Sequence, residues 1–213
     1  DALHEYEAAI VDCEAGDTYG AQHAWDEGWA FYAGSMQSAG ATDGNLLYYL
    51  AQKRCENYGT CTGDSDGSYE SGTAKVNELI LEYSTAGLTA LATDDCTTTT
   101  DYVDKIKVQM KIPLIQGTLR YLYKSDPSGG AGGSKEIAEG WAFAFGILPL
   151  LDNADPTVAA TVVSNMKTTA SSPVTDGYVA VKTAIESTHD ALGVTCADIG
   201  GLVDSSDSSG VPP

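Results

Sequence analysis

Positive charge is what this sequence has least of. Its 213 residues hold 11 lysines and arginines against 30 aspartates and glutamates, and the formal net charge is −19. Arg54 and Arg120 are the two arginines. A surface this acidic repels phosphate backbones and anionic headgroups, which argues against nucleic acid and membrane-surface partners and favours cations. Long apolar runs are also missing, so nothing approaches the ~20 residues of a membrane-spanning helix and direct membrane insertion is not expected. No alternating run bounded by turn signals argues for a strand. There is no Gly-x-Ser-x-Gly, no phosphate-cradling glycine loop and no paired thiolates at zinc spacing, so the usual enzyme and zinc signatures are absent.

Phenylalanine and tryptophan are scarce, at three each, yet Glu-Gly-Trp-Ala-Phe occurs at residues 27–31 and again at 139–143. At the same offset Gly20 matches Gly132, Gly34 matches Gly146 and Asp43 matches Asp155. An internal duplication is the simplest reading, with repeats at about 1–93 and 113–196 in one domain over 1–203, followed by a linker-like 204–213. Helical spacing dominates: 2–14, a motif helix from a cap at Asp17 or Thr18 to about 37, 45–57 with Leu46, Leu47, Leu50 and Tyr49 inward, and 69–93. It continues through 101–124 with Pro113 kinking or dividing it, 135–150, 156–169 and 176–191. The stretches 63–68 and 125–134 read as turn-rich loops. The expected fold is all-α, an internally duplicated helical bundle.

Five cysteines suit an oxidising compartment, extracellular or periplasmic. Cys55 and Cys61 bracket a short polar loop and read as a local disulfide. Cys96 or Cys196 can staple a terminus, and Cys13 is taken as the odd one out.

On a helix, Glu27 shares a face with His23, Ala24, Ala30, Phe31 and Gly34, while Trp25, Trp29 and Tyr32 lie opposite. Glu139 lies likewise with Lys135, Glu136, Ala142, Phe143 and Gly146. A helix apolar nearly all round belongs in a core, which predicts both glutamates buried or facing a cavity. Buried carboxylates are neutralised, paired or bound to a metal.

Three readings follow. In the structural one Glu27 and Glu139 make buried ion pairs with Arg54 and Arg120, in a helical or wall-associated module. In the metal one His23 and Glu27, at i, i+4, reach one ion together with Glu139 and with Asp26, Glu136 or a tyrosine. Carboxylate, phenolate and a single imidazole suit ferric iron. Tyr48-Tyr49 and Tyr121/Tyr123 lie beside the two arginines, and with a tyrosine ligand to iron Arg120 holds a small anion such as carbonate. The enzymatic reading makes the two glutamates an acid/base pair. His4 and His189 are expected on the surface, no other catalytic constellation is visible, and a non-enzymatic protein is preferred.

Four segments, residues 23–34, 113–121, 138–143 and 194–202, together resemble the iron-assimilating, low-iron-inducible periplasmic proteins of algae. The resemblance implies a secreted or surface-bound domain that assists high-affinity iron uptake beside a membrane iron transporter or cell-surface partner. Related phytotransferrin domains bind ferric iron with carbonate, which implies an anion-binding role for Arg120 or Arg54.

Overall fold

The structure is a computed structural model that describes residues 1–34, 45–63, 69, 71–128, 132–170 and 172–203. The all-α expectation holds: these residues form ten helices and no strand, with one isolated bridge between Cys61 and Ala74. The chain divides into two compact units. The first is Asp1–Glu56 with Thr60–Met110, and the second is Asn57–Gly59 with Lys111–Pro213.

The first unit is built on α1 (Ala2–Glu14), α2 (Thr18–Ala33), most of α3 (Leu47–Tyr58), α4 (Lys75–Leu91) and the opening half of α5 (Cys96–Ser125). Helix α2 starts where Asp17 accepts a hydrogen bond from the Gly20 N–H at 2.9 Å, satisfying one of the donors a helix start leaves orphaned. Its buried arc is Ala21, Ala24, Trp25, Gly28 and Tyr32. The Tyr6 ring of α1 lies edge-on to Trp25, with centroids 4.8 Å apart. Both find polar partners on α4: Tyr6 shares a 2.9 Å hydrogen bond with Ser84 Oγ, and Trp25 Nε1 donates to the Ser84 carbonyl at 2.9 Å. Tyr32 donates to Asn77 Oδ1, and Asn77 Nδ2 donates to the Tyr48 carbonyl.

Glycines set how closely these helices pack. A Cβ on Gly28 would sit 3.0 Å from the Tyr6 ring, and one on Gly87 2.2 Å from Trp25. Two disulfides close the unit, Cys13–Cys96 and Cys55–Cys61. The second was expected; the first overturns Cys13 as the odd cysteine. Cys13 is buried at the end of α1 and meets the start of α5, whereas the free thiol is Cys196. Lys107 on α5 also pairs with Glu7 on α1 at 2.9 Å.

The second unit contains the latter half of α5, α6 (Ser134–Ala154), α7 (Pro156–Met166), α8 (Tyr178–Glu186), α9 (His189–Leu192) and α10 (Cys196–Ile199). Pro113 lies inside α5 and does not divide it. Gly140, the counterpart of Gly28, is buried under Tyr121, and a Cβ on Gly117 would meet the Phe143 ring at 2.4 Å. Tyr121 and Phe143 stack at 5.4 Å. Asp155 caps α7 through the Thr157 N–H, with Pro156 at the first helical position.

At the foot of α5, buried Asp126 accepts from the Ser128 N–H and hydroxyl and from the Tyr178 N–H, which opens α8, at 2.7 Å. Burial alone raises its pKa. The hydrogen bonds from Ser128 and Tyr178 outweigh that and hold the carboxyl below its usual range.

Several expected boundaries shift. The helix expected over 69–93 begins at Lys75, behind the Cys61–Ala74 bridge. The one expected over 176–191 breaks into α8 and α9 at Ser187 and Thr188, whose hydroxyls turn back onto the Ala184 and Ile185 carbonyls. Just ahead of α3, Leu46 is exposed, and Leu47, Tyr49 and Leu50 are only half-buried, while Tyr48, Ala51, Gln52, Arg54, Cys55 and Tyr58 are buried. The buried Gln52 side chain accepts from the Ala74 N–H and donates to the Gly72 carbonyl, so that face is fixed by polar contacts. Residues 35–37, most of the 63–68 loop, 129–131 and the expected tail at 204–213 lie outside the described residues.

Gly87→Ala pushes a methyl into the Trp25 indole and lowers stability in urea unfolding by about 1–3 kcal/mol. Removing Cys13–Cys96, which spans 83 residues, costs about 4–5 kcal/mol on chain entropy, roughly twice the loss of the 6-residue Cys55–Cys61 link. Equal losses for the two disulfides would overturn that account. Asp126→Ala destabilises by about 1–3 kcal/mol at pH 7. Because the folded carboxyl titrates lower than the unfolded one, at about 3.9, the stabilisation is complete above that value. It is lost as pH falls through the lower folded pKa, so wild type and variant converge in strong acid; a gap independent of pH would contradict the assignment.

Candidate functional site

Both copies of the repeated pentapeptide lie on helices, one in each unit: on α2 in the first and on α6 in the second. Their surroundings correct the expected burial of the glutamates. Glu27 is exposed, with 48% of its side chain accessible, and His23 is 60% accessible. The inward arc of α2 is the one carrying Trp25 and Tyr32, and the expected inward residue Phe31 is itself 47% exposed. The face was misjudged because apolar character all round a helix did not mean burial all round it. Indole and phenol found polar partners on α4, which left Phe31 and Glu27 outside. Glu139 is half-buried on α6.

His23 Nδ1 lies 3.5 Å from Glu27 Oε1, so the i, i+4 pairing holds. One turn earlier on the same face stands Tyr19, 81% exposed, its ring centroid 6.4 Å from that of His23. Asp26 is exposed beside them. Phenol, imidazole and carboxylate thus form an open row along α2. Tyr19 escaped the sequence reading, although its i, i+4, i+8 spacing with His23 and Glu27 was there to be seen.

Glu136 is engaged locally. Its Oε2 accepts from the Gly133 N–H at 2.9 Å at the start of α6, and hydrogen bonds to the backbone there lower its pKa. Among the described residues neither Glu27 nor Glu139 pairs with an arginine, so the buried Glu–Arg arrangement is not seen at either. Lys135 does not close onto Glu139 either. Arg54 is buried on α3, and Arg120 is half-buried, its guanidinium carbon 5.4 Å from the Tyr121 ring centroid.

The tyrosines near the core are poor phenolates. Burial pushes Tyr6 up to about 12 and Tyr32 well above its ordinary value, and it raises Tyr48 as well, with the Glu78 charge adding to the effect. Among the described residues no three His, Cys, Asp or Glu side chains converge to hold a metal ion. What α2 offers is an open face of hard donors. It is not a closed cage.

Comparison with known families decides the kinship: the model of the low iron-inducible periplasmic proteins matches residues 1–210. The chain belongs to that family. No curated protein and no solved structure matches it. A low iron-inducible periplasmic protein works in an oxidising space, in accord with its two disulfides. Among its described residues no helix is long and apolar enough to cross a membrane. The four segments that suggested the family fall on α2, on α5, on α6 and around α10.

Glu27→Ala is expected to leave stability within about 0.5 kcal/mol of wild type, since the His23–Glu27 pair is exposed. A loss of several kcal/mol in urea unfolding would restore the buried-carboxylate reading.

Proposed function

We propose that this protein is a non-enzymatic ferric-iron binder that gathers iron in the periplasm and passes it to a membrane transporter or cell-surface partner. Membership of the low iron-inducible family over residues 1–210 carries the reading. The chemistry of α2 agrees with it. Carboxylate and phenolate are hard donors suited to ferric iron, and one imidazole is compatible with them. With Tyr19, His23 and Glu27 exposed along one face, at most three protein donors meet an incoming ion there, and water or a small anion such as carbonate completes its shell.

Few ligands and open access mean a ready off-rate, as a carrier needs. A net charge of −19 raises the local concentration of cations around that face. Asp26 lies close enough to strengthen the field. Glu139 and Glu136 remain candidates for a second seat on α6, with Arg120 or Arg54 as anion holders. The repeated pentapeptide leads us to read the two units as descendants of one duplicated module.

Ferric chelate added with bicarbonate is expected to quench tryptophan fluorescence and to produce a ferric–phenolate absorption band. The band disappears in Tyr19→Phe, and affinity falls about tenfold for each donor lost in His23→Ala and Glu27→Gln. Unchanged binding in a protein carrying both His23→Ala and Glu27→Gln would remove this face from consideration. Absence of binding by the wild-type protein would sink the function itself.

A further inference from the structure

The free thiol has a built environment of its own, all of it within the second unit. Helix α9 ends at Gly193, whose φ of 73° lies in the left-handed region and turns the chain back so that the Val194 N–H reaches the His189 carbonyl at 3.0 Å. Thr195 and Asp198 then cap α10 reciprocally, through Thr195 N–H to Asp198 Oδ2 at 2.8 Å and Asp198 N–H to Thr195 Oγ1 at 3.2 Å. Two anchors tie this turn to α5: Lys111 Nζ donates to the Leu192 carbonyl and Gln116 Nε2 to the Ile199 carbonyl. The result is a fixed geometry in which Cys196 Sγ stands 3.9 Å from His189 Nδ1.

His189, expected on the surface, is only 5% exposed, and its Nε2 is buried with no hydrogen-bond partner among the described residues. Both residues line a cavity of about 220 Å³, together with Tyr178, Lys182, Glu186 and the Gly200-Gly201 backbone. Lys182 and Glu186 face each other there at 2.9 Å. The thiol itself is open to solvent.

We propose that Cys196 is a thiol–disulfide exchange site that captures a small zwitterionic amino-acid thiol as a mixed disulfide held in this cavity. Each part of the wall has a task. Nδ1 of neutral His189 takes the thiol proton, and burial favours that neutral form by lowering the imidazole pKa, against the fields of Glu186 and Asp190. With Nδ1 turned to the thiol, the ring's own proton sits on Nε2. The Lys182–Glu186 pair offers opposite charges to the ligand's carboxylate and ammonium.

The step balances. The Cys196 thiolate attacks one sulfur of a low-molecular-weight disulfide, the new S–S bond forms as the old one breaks, and the departing thiolate takes the proton held by His189. Cys196 is oxidised to the disulfide level and half of the reagent is reduced to thiol.

The full-length protein is incubated with cystine or with the neutral bis(2-hydroxyethyl) disulfide, and adduct formation is followed by intact mass. Cystine is expected to react about tenfold faster than the neutral reagent, an advantage of the size that one charge-assisted contact supplies. The preference collapses toward unity in Lys182→Met and Glu186→Gln, His189→Gln slows both reagents about tenfold, and Cys196→Ser forms no adduct. The two wall variants alter partly exposed side chains, so they report even if His189→Gln folds poorly. Equal rates for both reagents on wild type, or a preference that survives Lys182→Met, overturns the proposal.

Discussion

Close approach of an aromatic ring to a glycine on a neighbouring helix is the contact on which this architecture depends. It recurs in both units: Tyr6 over Gly28 and Trp25 over Gly87 in the first, Phe143 over Gly117 in the second. A ring laid flat on a helix backbone buries much apolar area, but only where no Cβ stands in the way. The repeated Glu-Gly-Trp-Ala-Phe is therefore first a packing signature. Its glycine is the buried member in each copy, and helical geometry puts the preceding glutamate about 100° away, off the inward arc.

That constraint decides the chemistry available. With Gly28 inward, Glu27 and His23 must look out, and Tyr19 two turns before Glu27 looks out with them. An open row of hard donors on an acidic protein differs from a buried cage in what it does best. Under the ferric-iron binding we propose, it would exchange ions readily and rely on the surrounding field to collect them. The low iron-inducible family sets the biological frame for that exchange.

Much of the helical order was legible in the sequence because apolar spacing, the Asp17 cap and the Asp155-Pro156 start are local signals. The sides of the helices were less legible. In α2 the apolar residues surround the axis, and what chose the buried arc was long-range: the Ser84 carbonyl waiting for the Trp25 indole and Asn77 waiting for Tyr32. The same limit hid Cys13–Cys96, whose partners are 83 residues apart, while the 6-residue Cys55–Cys61 link declared itself. His189 looked terminal and therefore exposed. Its burial comes from the turn at Gly193 and the reach of Lys111 and Gln116 to the backbone that follows, none of which has a period to read.

Sulfur and oxygen chemistry are also apportioned between the units. All four disulfide-bonded cysteines belong to the unit that carries Tyr19, His23 and Glu27, so that unit presents no thiolate to compete for soft metals or to reduce ferric iron. A thiolate near ferric iron would spend itself in redox chemistry, whereas carboxylate and phenolate hold the ion without reducing it. The thiol that remains, Cys196, lies in the other unit beside an imidazole and a charged cavity wall, a setting that favours exchange with another sulfur compound over capture of a hard cation. One oxidising compartment thus suits both halves for opposite reasons: it locks sulfur away where oxygen donors are displayed, and it supplies small disulfides where sulfur is left free.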